Sequence, residues 1–356
     1  RFDSNMNSIK QHIKRTFYYS IFQKSLYISF GFMGLLFLFL VGSTTSLKAQ
    51  KSFGQDRAGT EGFQFTKIPV DPRSAAMGNS NMADAMDGSS LYWNPALSAE
   101  TNGSEFMVSH TEYVAGIQQD YFSYIQRINS YAIGVSVQYL GSGDIMETTE
   151  FQPFGTGRMF STHHMAAGLS VAQKVTDLFS YGLSFKYLLE KVEEIQYQSG
   201  AIDFGFAYRV GDTGLRFAVG INNFGLDATP EGTTSRESLD GLKELEPETN
   251  TSLPTRFHIG AAYDLVKNQQ NKVILTAQVT NPSDNAEQLN IGAEYSFMDQ
   301  FYLRTGYEFG QLERLMPSLG GGVAVPFAGR TLMADYAYTR FERLGQIHRI
   351  GVRVSL

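Results

Sequence analysis

An alternation with a period of two recurs about fourteen times between residue 104 and the end of the chain, and it constrains the fold more than any other feature. In YAIGVSVQYL, Tyr131, Ile133, Val135, Val137 and Tyr139 fall on one face, with Ala132, Gly134, Ser136 and Gln138 on the other. In AIDFGFAYRV the apolar set is Ile202, Phe204, Phe206, Tyr208 and Val210, opposite Ala201, Asp203, Gly205, Ala207 and Arg209. Successive strand residues point to opposite sides of a sheet, so each segment predicts a two-faced strand. The apolar faces are rich in Tyr, Phe, Leu and Val, with aromatics often at strand ends. The other faces combine glycine with charges such as Lys186, Asp203, Arg209, Arg304, Glu308 and Asp335. That chemistry suits a wall with lipid outside and polar groups inside, where aromatics mark the two interfaces. A large soluble β protein is the competing architecture.

The segments expected as strands are 104–113, 119–128, 130–140, 163–174, 180–190, 200–210, 214–223, 255–266, 272–281, 287–297, 300–309, 318–325, 330–339 and 346–356. Their number is even. The connections after even-numbered segments are brief (INS, VTDLFS, GDTG, KNQQN, MDQ, PFAGR), while 141–162 and 224–254 are long. Short turns on one side and long loops on the other are the asymmetry of an outer-membrane barrel. Hydrocarbon gives an unpaired edge amide no partner, at several kcal/mol per group, so such a sheet must close. The expected fold class is therefore all-β, a transmembrane antiparallel β-barrel of about 14 strands over 104–356, in the bacterial outer membrane with both termini periplasmic. The chain ends on HRIGVRVSL, where Ile350, Val352, Val354 and Leu356 alternate with Arg349, Gly351, Arg353 and Ser355. A final amphipathic strand looks like a barrel-assembly signal.

Export is expected from the first fifty residues. Lys10, Lys14, Arg15 and Lys24 precede an uncharged apolar run from Leu26 to Val41 and then GSTTSLKAQ. This order describes a signal peptide over 1–50 with cleavage near Gln50. An uncleaved anchor is the alternative, but the run is short for a span of roughly 20 residues. Removing 1–50 leaves 23 basic and 34 acidic residues, a net charge near −11, which argues against a nucleic-acid partner. There is no cysteine, so no disulfide framework holds an exported chain of this size.

Residues 63–97, FQFTKIPVDPRSAAMGNSNMADAMDGSSLYWNPAL, are not strand-like. Small residues and turn formers dominate, and Asn94-Pro95 biases the backbone out of helix. The spacing of Ile68, Arg73 and Ala76-Met77-Gly78, followed by Trp93-Asn94-Pro95-Ala96, resembles the N-terminal signature of the PorV/PorQ family. Those are outer-membrane proteins of the type IX secretion system with a fold related to the FadL transporters of hydrophobic compounds. Gly220, Asn223 and Gly225 in RFAVGINNFG resemble a further family element. So do Asp335-Tyr336-Ala337-Tyr338, Leu344-Gly345 and His348-Arg349 near the C-terminus. The resemblance implies a FadL-like barrel whose N-terminal segment, within 51–103, forms a plug. Arg73, Met77, Gly78, Trp93, Asn94, Pro95 and Ala96 are the plug motif, with Trp93 packed on the inner wall. A periplasmic extension with Trp93 in a local cluster is the alternative.

No catalytic constellation stands out. No G-x-S-x-G elbow occurs, and the neighbours His163 and His164 point to opposite faces of a strand, so they cannot chelate together. GSGD at 141–144 lacks a following helix and reads as a turn. The acidic run ESLDGLKELEPE (237–248) lacks the ligand spacing of a calcium loop. An enzyme is not expected, nor a cofactor or metal. The family resemblance implies an accessory or shuttle component that docks secreted cargo, the translocon or the cell-surface sortase complex through loops 141–162 and 224–254, with outer-membrane lipid around it. Phe151, Phe154, Met159 and Phe160 are candidate partner-facing anchors, since aromatic and Met residues dominate interfaces. Packing of the loop over its own barrel is the plainer reading of those four. The alternative function is FadL-like transport of a hydrophobic small molecule, with lumen-facing glycines permitting a lateral opening.

Overall fold

Fourteen antiparallel strands form a closed ring in the computed structural model, which describes residues 57–356 apart from 239, 240, 248, 312 and 315. They are β1 (Ser104–Glu112), β2 (Gln118–Ile128), β3 (Tyr131–Gly141), β4 (Thr162–Lys174), β5 (Phe179–Val192), β6 (Ile195–Arg209) and β7 (Leu215–Gly225). The second half comprises β8 (Arg256–Lys267), β9 (Asn271–Pro282), β10 (Gln288–Phe297), β11 (Phe301–Phe309), β12 (Ser318–Phe327), β13 (Arg330–Phe341) and β14 (Gly345–Ser355). Each strand pairs with its sequence neighbours, and β1 pairs with β14 from Glu105↔Ser355 to Glu112↔His348. This last ladder removes both sheet edges, as a wall in lipid requires. The signal-peptide expectation for 1–50 lies outside the described residues, as do parts of the acidic run 237–248.

The alternation read from the sequence is the alternation of the wall. In β3, Tyr131, Ile133, Val135, Val137 and Tyr139 are exposed while Ala132, Gly134, Ser136, Gln138 and Leu140 are buried. Outward tyrosines near the rims bond polar neighbours: Tyr139 with His163 at 2.6 Å, Tyr187 to Gln198 at 2.7 Å and Tyr336 with His348 at 2.8 Å. At the short-turn end Tyr181 donates to Gln173 and Tyr295 to Asn271, both at 2.6 Å. Ring toward hydrocarbon and hydroxyl toward water is the arrangement of an interfacial girdle.

Two places depart from the expected boundaries. β6 starts at Ile195 rather than 200, and joins β5 through Glu193–Glu194 alone, with Glu193 at φ 59°. The extra residues, IQYQS, alternate in the opposite phase, with Gln196 and Gln198 on the face that is apolar in the rest of β6, so the period of two is broken there. The ladder between β6 and β7 shifts register between Ile202 and Phe204, where Asn223 adopts φ 59°. This β-bulge sets Asn222 and Asn223 together opposite Asp203, adding Asn223 to the inward side, and all three are buried. Loop 141–162 carries a short ribbon pairing Ile145–Met146 with Met159–Phe160, and the loop after β7 carries one pairing Thr234–Ser238 with Gly241–Leu245.

Residues 63–103 run inside the ring, and the wall glycines explain how they fit. A Cβ on Gly134 would meet Leu91 at 2.6 Å, one on Gly182 the Ala96 nitrogen at 2.5 Å, and one on Gly260 the Met82 side chain at 2.9 Å. Gly205, Gly306 and Gly320 abut Asn94, the Met77–Gly78 backbone and Ala76 in the same way. These glycines let a second backbone lie directly against the wall. Gly306→Ala should therefore cost about 1–3 kcal/mol through overpacking. Gly321, with only the Tyr302 carbonyl at 3.4 Å, is the contrast. Gly321→Ala should stay within about 0.5 kcal/mol. Denaturant unfolding of both variants in the same lipid compares them directly.

Candidate functional site

Charged side chains on the inner wall cannot face one another without partners, and the inner segment supplies them. Arg73 sits in a short helix, Pro72–Ala76, capped by Asp71, whose carboxylate accepts from the Ser74 amide at 2.7 Å. Its guanidinium donates to Glu294 at 2.8 and 3.0 Å and to the Asp84 carboxylate at 2.5 Å. Asp84 also meets Arg216 at 2.8 Å, and Arg216 meets Asp264 at 2.8 Å. On the other side Glu294 accepts from Arg304 at 2.6 Å, and Arg304 meets Asp335 at 2.5 Å. The result is an alternating chain of seven groups, Asp264, Arg216, Asp84, Arg73, Glu294, Arg304 and Asp335, that crosses the lumen through the inner segment. A second anchor joins Asp87 to Arg353 of β14.

The remaining motif residues are placed by backbone chemistry. Met77 is fully buried, and Gly78 (φ 64°) and Asn79 (φ 61°) turn the chain in the left-handed region beside Gly306. Trp93 donates from Nε1 to Asp71 at 2.9 Å and meets Tyr92 edge to face at 5.0 Å. It packs with Val70, Leu97, Tyr121 of β2 and Ala207 of β6. Asn94 caps the short 3₁₀ turn Pro95–Glu100, accepting from the Ala96 amide at 3.1 Å, and donates to the Phe206 carbonyl of the wall at 3.1 Å. Pro95 and Ala96 lie against Gly182 and Asn94 against Gly205, so the Asn-Pro-Ala element is wedged into two glycine notches. Asn222, on the inner face of β7, donates to the Tyr92 and Trp93 carbonyls at 2.8 and 3.3 Å. Asp203 binds Lys186 at 2.5 Å and the Asn223 amide at 2.7 Å.

Above the segment, toward the long loops, lies a cavity of about 450 Å³. Phe65, Trp93, Ile117, Leu140 and Phe341 line it together with Lys67, Glu190, Arg256, His258, Glu308, Arg314 and Arg349. Tyr113, in the loop between β1 and β2, also faces it, and burial pushes its phenol pKa up. Two further cavities, beside Leu97 and Tyr208 and beside Leu91 and Lys186, hold about 20 and 10 Å³, too little for a ligand. His163 and His164 do diverge: His163 bonds the outward Tyr139, and His164 stacks on Phe65 at 5.5 Å beside the cavity.

Sequence reading singled out Arg73 but not Asp84, Glu294 or Arg216, and none of the arginines lining the cavity apart from noting Arg349 on its strand face. The period of two places Arg256 and His258 on one inner face, which was the available signal. Of the loop residues, Phe154 is 97% exposed, Phe151 and Met159 are each 53% exposed, and Phe160 is half-buried against Ile145.

Comparison with known proteins then decides the family. The family model described as "Type IX secretion system protein PorV" matches residues 51–282. The chain belongs to the PorV family. The match spans the inner segment and the first nine strands. PorV-family proteins are outer-membrane components of type IX secretion, and that localisation agrees with the apolar outer wall. No curated protein matches the chain. Among solved structures, the toluene transporter TbuX of Ralstonia pickettii superposes with a TM-score of 0.56 at 14% identity, covering 82% of this chain and 98% of that one. The toluene transporter TodX of Pseudomonas putida gives 0.56 at 14%, covering 80% and 96%. A FadL homologue of Pseudomonas aeruginosa gives 0.52 at 11%, covering 81% and 98%. This PorV-family barrel thus shares the FadL-like fold.

Arg73→Ala should cut the chain of charges at its centre and cost about 3 kcal/mol, the low end for a broken buried pair, because Asp84 and Glu294 each keep one arginine. Trp93 is the only tryptophan, so its emission reports the segment without interference. Denaturant titration of the variant should show Trp93 moving to a wet environment before the barrel unfolds.

Proposed function

We propose that this barrel is a docking or shuttle component of type IX secretion that engages secreted cargo or the cell-surface sortase complex through its long loops. The observation that carries this reading is the charge chain across the lumen, since a conduit would have to break several buried ion pairs at once. In this reading residues 63–103 act as a plug, and the loops 141–162 and 224–254 face outside with both termini in the periplasm. Phe151, Phe154 and Met159 give the first loop exposed apolar anchors of the kind that dominate interfaces. Lipid surrounds the wall, and neither cofactor nor catalytic group enters the scheme.

A FadL-like passage for a hydrophobic small molecule is the second reading. The solved structures it resembles include proteins described as toluene transporters and monoaromatic hydrocarbon channels. The cavity at the long-loop end gives such a molecule a place to enter.

Affinity capture from mildly solubilised outer membranes separates the two. With the loops intact, secretion-system subunits or cargo should co-purify. Phe154→Asp combined with Phe151→Asp should reduce that recovery about tenfold or more, as expected for interface anchors. Recovery of only lipids or small hydrophobic compounds, together with toluene uptake by proteoliposomes, would instead support transport.

A further inference from the structure

The cavity at the long-loop end carries more positive charge than its surroundings neutralise. Lys67, Arg256, Arg314 and Arg349 line it, against the carboxylates of Glu190 and Glu308. Lys67 is already paired with Asp284 at 2.6 Å, and Arg314 with Glu308 at 3.0 Å. Arg256 donates to the Thr66 carbonyl at 3.2 Å and the Tyr92 hydroxyl at 3.4 Å, and it lies over the Tyr92 ring at 5.4 Å. Arg349 reaches only the Thr339 hydroxyl, at 3.4 Å. Neither has a carboxylate partner among the described residues, although they are 5% and 3% exposed. Glu190 is committed to the Phe63 amide at 2.6 Å. Among the cavity-lining side chains and their direct ion-pair partners, Arg256 and Arg349 against Glu190 leave one positive charge over, with Asp71 acting on Arg349 only from behind the lining.

Hydrogen bonding is incomplete in the same place. The Nε atoms of Arg256, Arg314 and Arg349 are buried without a partner, and so are the side-chain oxygens of Asn79 and Asn290. These groups adjoin one another. Asn79 donates to Glu308 at 3.0 Å, Asn290 donates to the Asn79 carbonyl at 3.0 Å, and Glu308 pairs with Arg314. Further amides of Gln64, Gln278, Gln288 and Gln311 face the cavity. Unmet guanidinium donors want an oxyanion, and unmet carbonyl oxygens want N–H or O–H groups. Leaving both buried and unmatched costs free energy at each. A wall this rich in amides is poorly matched to a long aliphatic chain.

We propose that this cavity binds a small hydrophilic carboxylate, with its carboxylate held by Arg349 beside Arg314 and its N–H or O–H groups given to the amide side chains that line the wall. The single uncompensated charge matches a monoanion, and the volume lies within the range of small-ligand pockets. The same chemistry could come from a free organic acid or from the terminal carboxylate of a longer chain reaching in from the loops. The inference does not depend on which proteins the loops touch.

Titration calorimetry on the full detergent-solubilised protein tests this with N-acetylglutamine, its carboxamide counterpart N-acetylglutaminamide, and octanoate. The free acid should bind, and the carboxamide should bind about tenfold or more weakly, the loss of one charge-assisted hydrogen bond. Arg349→Gln should weaken the acid by about tenfold or more, Arg349→Lys much less, and Arg330→Gln, at the exposed start of β13 at the far end, not at all. An unchanged Trp93 emission maximum shows that each variant keeps its inner segment. A decapeptide ending in glutamine then identifies the source: binding as tight as the acid assigns a chain end, and exclusion assigns a free acid. Equal binding of acid and carboxamide, binding unaffected by Arg349→Gln, no binding at all, or tighter binding of octanoate would each overturn the proposal.

Discussion

Hydrocarbon offers a backbone amide no partner, so the ladder between β1 and β14 is the contact on which the rest of this protein depends. Closing the ring fixes which residues look outward, because the side-chain period is two and every strand is held in register by both neighbours. The outward faces can then be apolar with tyrosine rims, and the inward faces inherit whatever the alternation leaves. They inherit Lys186, Asp203, Arg216, Glu294, Arg304, Asp335 and Arg353 in a narrow space. Those charges are affordable only when paired, and the pairing runs through Arg73, Asp84 and Asp87 of the inner segment. Wall and inner segment are thus one electrostatic unit.

Much of the wall was legible in advance because alternation is a local signal. The segment 130–140 needs no knowledge of its partners to be read as a strand, and the observed β3 is Tyr131–Gly141. The length asymmetry of the connections likewise needed only counting. The start of β6 was not legible, since IQYQS puts Gln196 and Gln198 on the outward face and so reverses the phase of the alternation. The bulge at Asp203 and Asn222–Asn223 was hidden for a related reason. A register shift depends on the neighbouring strand, and only the αL tendency of Asn223 hints at it locally.

The site was less legible than the wall. Arg73, Gly78 and Asn94-Pro95 could be singled out by resemblance, but their partners lie far away in sequence: Glu294 is 221 residues beyond Arg73 and Phe206 is 112 beyond Asn94. Such pairings follow from which strands flank the segment, and a single chain does not encode that in any spacing. The glycines show the same limit. Gly182, Gly205 and Gly306 read as small residues on a polar face, and nothing local says that a second backbone fills the space a side chain would take. Their meaning is a close approach, and close approaches are tertiary facts.

The proposed docking function requires residues 63–103 to stay in the lumen and not swing clear as a gate. An inner segment held by buried ion pairs and wedged between glycine notches cannot leave without exposing unpaired charge. Hydrogen–deuterium exchange on the folded protein in lipid nanodiscs tests this most directly. The account predicts that the amides of 71–97 exchange as slowly as those of the neighbouring strands β6 and β11. Exchange within seconds across that stretch, while the strands stay protected, would contradict it.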